Sequence, residues 1–154
     1  MKVLFVYRYL TMGGVETVLC ARLEGLQNHA CDAHAWFLFD GPGSVLFEDL
    51  QAQIHVGELS QLVEHLSHEQ YDLVAGIDTE ETLLALERLD SPPVFIMEVH
   101  TPYAENLEYL RTLRTASVKA FLVPSAYQEA VARERLCRCE HEGCTQPIGR
   151  NLCL

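Results

Sequence analysis

Two rhythms of apolar residues alternate along the chain. Short runs without polar alternation occur at residues 3–7 (VLFVY), 33–39 (AHAWFLF), 71–77 (YDLVAGI), 94–99 (VFIMEV) and 118–123 (VKAFLV), with a brief one at 54–56. Unbroken runs of this length predict strands buried on both faces. Between them, apolar residues recur at helical spacing. Val15, Val18, Leu19, Leu23 and Leu26 mark a helix over 15–26, and Leu62, Val63 and Leu66 mark another, with Ser60 as its cap. Leu83, Leu84 and Leu86 lie in TEETLLALERL, whose early acids suit a helix N-terminus, and Asp78 and Thr79 stand at its start. Further helices are predicted in PYAENLEYLRTLR and over 127–136. DGPG at 40–43 is a turn signal, after which Ser44 is placed to cap a short helix carrying Val45, Leu46, Phe47 and Leu50. Beyond residue 136 only 145–148 suggests a strand.

Regular alternation of buried strands and helices predicts an α/β protein. The economical arrangement is a Rossmann-like doubly wound parallel sheet in three α/β/α layers. At 154 residues the chain is long enough for one domain with a real core and short for two.

That topology turns scattered residues into a place, because ligands of such sheets bind outside the carboxyl ends of the strands. Gly13 and Gly14 follow the first strand, Asp78 follows YDLVAGI, His100, Thr101 and Tyr103 follow VFIMEV, and Ser125 follows VKAFLV. A glycine pair lets the loop adopt positive φ and brings backbone N–H groups to a ligand, next to a helix N-terminus that favours anions. The plain alternative is a tight strand-to-helix turn. His100 offers a neutral imidazole to a substrate hydroxyl or carbonyl, or is a satisfied structural histidine. Helix capping competes with ligand binding at Asp78 and Ser125, since both precede predicted helices. Neither G-x-G-x-x-G nor G-x-x-x-x-G-K-[ST] occurs, which argues against nicotinamide dinucleotides and phosphate-loop chemistry.

The formal charge of −11 makes nucleic acid an unexpected partner and disfavours an anionic membrane surface, with Arg111 and Arg114 as a small exception. No apolar stretch approaches the length of a spanning helix, and Lys2 is followed by a strand-like run in place of a secretory leader, so a cytoplasmic location is expected. Of six cysteines, Cys20 and Cys31 are expected as buried small hydrophobes. Cys137, Cys139, His141 and Cys144 form C-x-C-x-H-x-x-C, a donor set suited to zinc. The spacing is tighter than the usual C-x₂₋₄-C, and free thiols in a surface loop are the favoured reading.

Three stretches carry a resemblance. MKVLFVYRYLTMGGVETVLCARLEGL, with its GGxE-like helix start, resembles the opening of nucleotide-sugar-dependent glycosyltransferases of the GT-B fold, particularly the retaining family 4. FIMEVHTPY resembles their acceptor-side strand-plus-histidine segment, and AFLVPSAYQEAVARERL their later strand-Ser-helix stretch, with TQPIGRN in place of the usual proline-asparagine-glycine turn. The cysteine-rich CRCEHEGC departs from the family's linker. The resemblance implies an N-terminal, acceptor-side half of a two-domain enzyme, inactive without the C-terminal domain that holds most of the donor. It implies a UDP- or GDP-sugar as donor, a glycan or small molecule as acceptor, and no metal or other cofactor. Gly13 and Gly14 would approach the donor diphosphate or the reacting sugar, and His100 would bind a hydroxyl of the transferred sugar. Asp78, Thr101, Tyr103 and Ser125 would line the acceptor side. The alternatives are half of a sugar-nucleotide 2-epimerase and a non-catalytic Rossmann-like binding module. Within the latter class, VYRYLTMGG lacks the strand-end acid of a response regulator and the Ser/Thr-rich phosphate loop of a flavodoxin.

Overall fold

The computed structural model describes residues 1–101, 103–111, 117–136 and 148–150. The strands are β1 (Lys2–Tyr9), β2 (Asp32–Phe39), β3 (Gln53–Val56), β4 (Leu73–Ile77), β5 (Val94–Glu98), β6 (Ala120–Val123) and β7 (Ile148–Arg150). They form one sheet in the order β3-β2-β1-β4-β5-β6-β7, and every neighbouring pair is parallel. The α-helices are α1 (Gly14–Asn28), α2 (Leu59–His68), α3 (Glu81–Leu86) and α4 (Ala126–Leu136).

The order follows from the handedness of parallel crossovers. From β1 the chain winds outward to β2 and β3, returns across β1 to β4, and then winds the other way, which places its helices on opposite faces. One face packs Leu19 and Leu23 of α1 and Phe47 against Val3, Phe5, Ala35, Phe37, Ala75 and Ile77. The other packs Leu62 and Leu66 of α2, Leu83 and Leu86 of α3, and Ala132 and Leu136 of α4 against Leu4, Val6, Val74, Phe95, Met97 and Phe121. The doubly wound expectation holds. Over β4, β5 and β6 the α1 face is not fully covered. Leu73, Ile96 and Leu122 there line an open groove of about 380 Å³ with Val3, Phe5 and Arg22. Among the described residues no helix is long and apolar enough to cross a membrane.

Several local expectations are corrected. The helix expected after Ser44 is a 3₁₀ turn, Pro42–Phe47. Gly43 seats it against the chain leaving β1, its N–H donating to the Leu10 carbonyl at 3.0 Å. PYAENLEYLRTLR also forms a 3₁₀ segment in its described part, Ala104–Arg111. Ser60 does not cap α2. Glu58 does, in a capping box closed by Gln61, with the Ser60 hydroxyl donating to the Glu58 carboxylate at 2.8 Å. Cys20 and Cys31 are half-buried, and the Cys20 thiol donates to the Leu46 carbonyl. Arg111 is paired with Glu108 at 2.5 Å. Arg114 lies outside the described residues, as do Cys137, Cys139, His141 and Cys144.

Candidate functional site

The strand order reverses between β1 and β4, and the crevice beyond their carboxyl ends is where such sheets bind ligands. On the β1 side, Gly13 precedes α1 with φ −103° and ψ −177° and no side-chain cap. Neither glycine occupies the left-handed region, so the expectation of positive φ fails. A different cause explains Gly13: a Cβ there would lie 2.7 Å from Oε2 of Glu16. Glu16 is 1% exposed and folds back under the loop, where its Oε1 accepts the Thr11 N–H at 2.7 Å and the Thr11 hydroxyl. Gly14 is exposed, with nothing within 4 Å of where a Cβ would stand. Of the pair, Gly13 sits close against the Glu16 carboxylate and Gly14 leaves open backbone at the start of α1.

On the β4 side, Asp78 carries φ 47°, a conformation that short polar residues tolerate better than most. It caps no helix, because α3 begins only at Glu81. Its carboxylate reaches across to the loop after β5, accepting the His100 N–H at 2.9 Å and the Thr101 N–H at 3.0 Å. Burial pushes its pKa up, and the two backbone hydrogen bonds partly offset this. Asp78→Ala, which removes both acceptors and keeps the unfavourable φ, is expected to loosen residues 100–101. The cost should be about 2 kcal/mol, against a smaller loss for Asp78→Asn, measured by urea unfolding and by amide exchange at His100.

His100 is clamped from three sides. Its backbone N–H is held by Asp78, its carbonyl accepts from Nε2 of Gln128, and its ring Nε2 lies 2.9 Å from Oε2 of Glu98. Glu98, 2% exposed, also receives Nη1 of Arg22 from α1 at 2.8 and 2.6 Å. Burial alone would raise the Glu98 pKa, but the hydrogen bonds from His100 and Arg22 outweigh it and hold the carboxyl below its ordinary range. An ionised carboxylate only accepts, so Nε2 of His100 donates to it and Nδ1 is the nitrogen left to face a ligand.

The remaining predicted residues are arranged less tightly. The Thr101 hydroxyl accepts weakly from the Tyr103 N–H and the Asn106 amide, each at 3.4 Å, and Tyr103 is 60% exposed. The Ser125 hydroxyl accepts the Gln128 N–H at 3.2 Å, so its capping role at α4 is real, and it donates to the Gln128 amide oxygen at 2.8 Å. Through Gln128 the α4 N-terminus is tied to His100.

Sequence reasoning left several neighbours unnamed. Tyr7, half-buried just past the buried run of β1, has its pKa pushed up to about 12, first by burial and then by the charges of Glu16 and Asp78, which puts the glycine-loop acid and the β4 acid in one neighbourhood. Arg8 pairs with Glu81, which also accepts the Thr79 hydroxyl at 2.7 Å. Tyr9 and Phe39, register partners at the rim and both exposed, stack with centroids 5.4 Å apart and planes at 21°. Carboxylates and an imidazole beside a flat aromatic pair suit hydrogen bonding to hydroxyls under an apolar ring face.

No protein-family model matches the chain, and no curated protein matches it in sequence. Solved structures do match in fold. The structure of Anabaena HepE in complex with UDP and glucose is 15% identical, with a TM-score of 0.68 over 97% of this chain and 43% of that one. HepE in complex with UDP-glucose is 16% identical with the same TM-score and coverage. MT0777 matches at a TM-score of 0.54 and 15% identity, over 93% of this chain and 99% of its own. The chain thus spans less than half the length of HepE, and the likeness is one of fold: the Rossmann-like sheet described above is shared with a protein crystallised with UDP-glucose.

Proposed function

We propose that this chain is the acceptor-side, N-terminal domain of a GT-B glycosyltransferase of the retaining, family 4-like kind. Such an enzyme moves a sugar from a UDP- or GDP-sugar to a hydroxyl of a glycan or small molecule. One observation carries the reading: exposed Gly14, the Asp78-braced His100 loop and the Ser125 end of α4 share the carboxyl-end rim of one sheet, from its switch point at β1 and β4 out to β6. Support also comes from the fold shared with HepE, which was crystallised with UDP-glucose.

The chemistry assigns roles. As the glycosidic bond to the donor breaks, positive charge develops on the sugar and negative charge on the leaving diphosphate. Glu16, Asp78 and Glu98 make this half of the crevice acidic, which suits sugar hydroxyls better than phosphates. The uncapped N–H groups at the start of α1 provide the local exception, a place for one anionic oxygen beside Gly14. His100 presents Nδ1 to a hydroxyl of the transferred sugar, while Thr101, Tyr103 and Ser125 border the acceptor. No cofactor enters the scheme. The main groups for the nucleotide belong to a second domain, so the chain alone is inactive, and we place it in the cytoplasm.

The test is to join the chain to a nucleotide-sugar-binding domain and assay UDP- and GDP-sugars with and without acceptors. Transfer with retention at the anomeric carbon is expected. Gly14→Val should lower it at least tenfold with little change in unfolding, since only open space surrounds that position. A product that is an epimerised nucleotide-sugar would replace transfer with 2-epimerisation. Binding without any turnover would leave a non-catalytic module.

A further inference from the structure

A second cluster lies far from this rim, near the opposite end of the sheet on the face covered by α2. His34 is the third residue of β2, His55 the third of β3, and His65 lies in the last turn of α2. One ligating atom of each lies within 4.8 Å of the others. The rings pack directly, with centroids of His55 and His65 4.6 Å apart and those of His34 and His55 5.9 Å apart. We propose that these three imidazoles are a binding site for a divalent transition metal of the zinc type.

Three observations beyond the count of histidines support this. His34 has its Nε2 2.8 Å from the Asp32 carboxylate, which accepts only, so Nε2 donates to it and Nδ1 is the nitrogen turned inward, to the Tyr71 hydroxyl. A carboxylate behind a histidine in this way is the usual outer support of a metal ligand. Second, Nε2 of His55 is buried without a hydrogen-bond partner, a cost a cation would remove. Third, the Tyr71 hydroxyl stands 2.8 Å from both Nδ1 of His34 and Nε2 of His65, donating its one proton to the first and accepting from the second, so two of the rings already face one point. A cation would take the lone pair to which Tyr71 now donates.

The charges agree. Asp32 and Glu69 lie on the rim of the cluster beside the cation Lys2, which stacks over the Tyr71 ring at 4.9 Å and pairs with Glu69 at 2.5 Å. Metal–nitrogen bonds of 2.0–2.1 Å in a tetrahedron need nitrogens roughly 3.4 Å apart. Closing from 4.8 Å to that spacing asks the half-buried His55 and His65 rings to turn toward buried His34. Such an ion would pin the four-residue edge strand β3 to β2 and α2. Imidazole donors favour zinc, copper and nickel over calcium or magnesium.

Trp36, the chain's single tryptophan, stacks on His55 with centroids 5.6 Å apart and planes at 23°, so its fluorescence reports the site. The experiment titrates Ni²⁺ into the full chain with Cys137, Cys139, Cys144 and Cys153 replaced by serine, which removes the C-terminal thiols and leaves Cys20 and Cys31, one on α1 and one just before β2. Saturable one-to-one quenching, reversed by excess Zn²⁺, is expected. His55→Ala should weaken the apparent affinity at least tenfold, and Asp32→Asn by several-fold, with circular dichroism unchanged. A Zn²⁺-dependent rise in Tm that EDTA reverses, and that His65→Gln abolishes, gives a second readout. The proposal is overturned if quenching does not saturate, or if His55→Ala quenches as the parent does. It is equally overturned if Zn²⁺ raises Tm by the same amount in His65→Gln.

Discussion

Arg22→Ala is expected to cost about 3–5 kcal/mol at neutral pH, because it strands an ionised carboxylate in the protein interior. Glu98 is 2% exposed and is satisfied by two groups, the guanidinium of Arg22 and the ring of His100. Without Arg22 the desolvation that already opposes ionisation is no longer outweighed. The pH dependence follows from the direction of the shift. In the parent, the Glu98 pKa is held below its ordinary value of 4.5, so its contribution is complete above that pH and is lost as pH falls through the lower folded value. In the variant the buried carboxyl's pKa rises, and acid relieves the stranded charge. The stability gap between the two proteins should therefore be widest near pH 7 and narrow below about pH 4.5. Urea unfolding at pH 7 and pH 4 measures both. An equal gap at the two pH values would mean that lost packing of the Arg22 stem, not the ion pair, is responsible.

Gly43→Val should be the next most damaging change, at about 1–3 kcal/mol. A Cβ on Gly43 would fall 2.7 Å from the Thr11 carbonyl carbon and closer still to its oxygen. Gly43 also donates to the Leu10 carbonyl, so the 3₁₀ turn after β2 is the floor on which the loop after β1 rests. Displacing that floor moves Thr11, then Glu16, then the backbone around Gly13 and Gly14. The damage should appear in two places: a lower urea midpoint and faster amide exchange at Thr11. Gly14→Ala is the matched control. Its Cβ meets nothing and helix propensity favours the change, so stability should hold or rise by up to about 1 kcal/mol. If Gly43→Val unfolds like the parent, the brace has been misassigned.

The two substitutions show where sequence reading reached and where it stopped. DGPG at 40–43 is legible as a turn, yet its purpose is close approach to a backbone thirty residues earlier, and no local pattern encodes that. Ser60 and Glu58 are both acceptable caps by residue type. Glu58 took the position because Gln61 reaches back to close the box. Asp78 reads as a cap because it follows a strand and precedes a helix, but α3 starts three residues later and the carboxylate turns to the neighbouring strand's loop instead. The rim residues themselves were legible, since strand ends in a parallel sheet must converge. Their roles were not, because burial and partners arise only on folding.

By itself the sequence determined the class of fold: unbroken apolar runs can be satisfied only between two helical layers, and the handedness of parallel crossovers leaves few ways to stack them. It also determined which residues would stand at the strand ends. Tertiary structure alone decided which of those face a ligand and which hold their neighbours. It placed Glu98 between Arg22 and His100, 76 and 2 positions away along the chain, and gathered three histidines from two strands and a helix. The physical reason is range: hydrophobic periodicity is a local signal, whereas a hydrogen bond between distant residues exists only once the sheet register has brought them together.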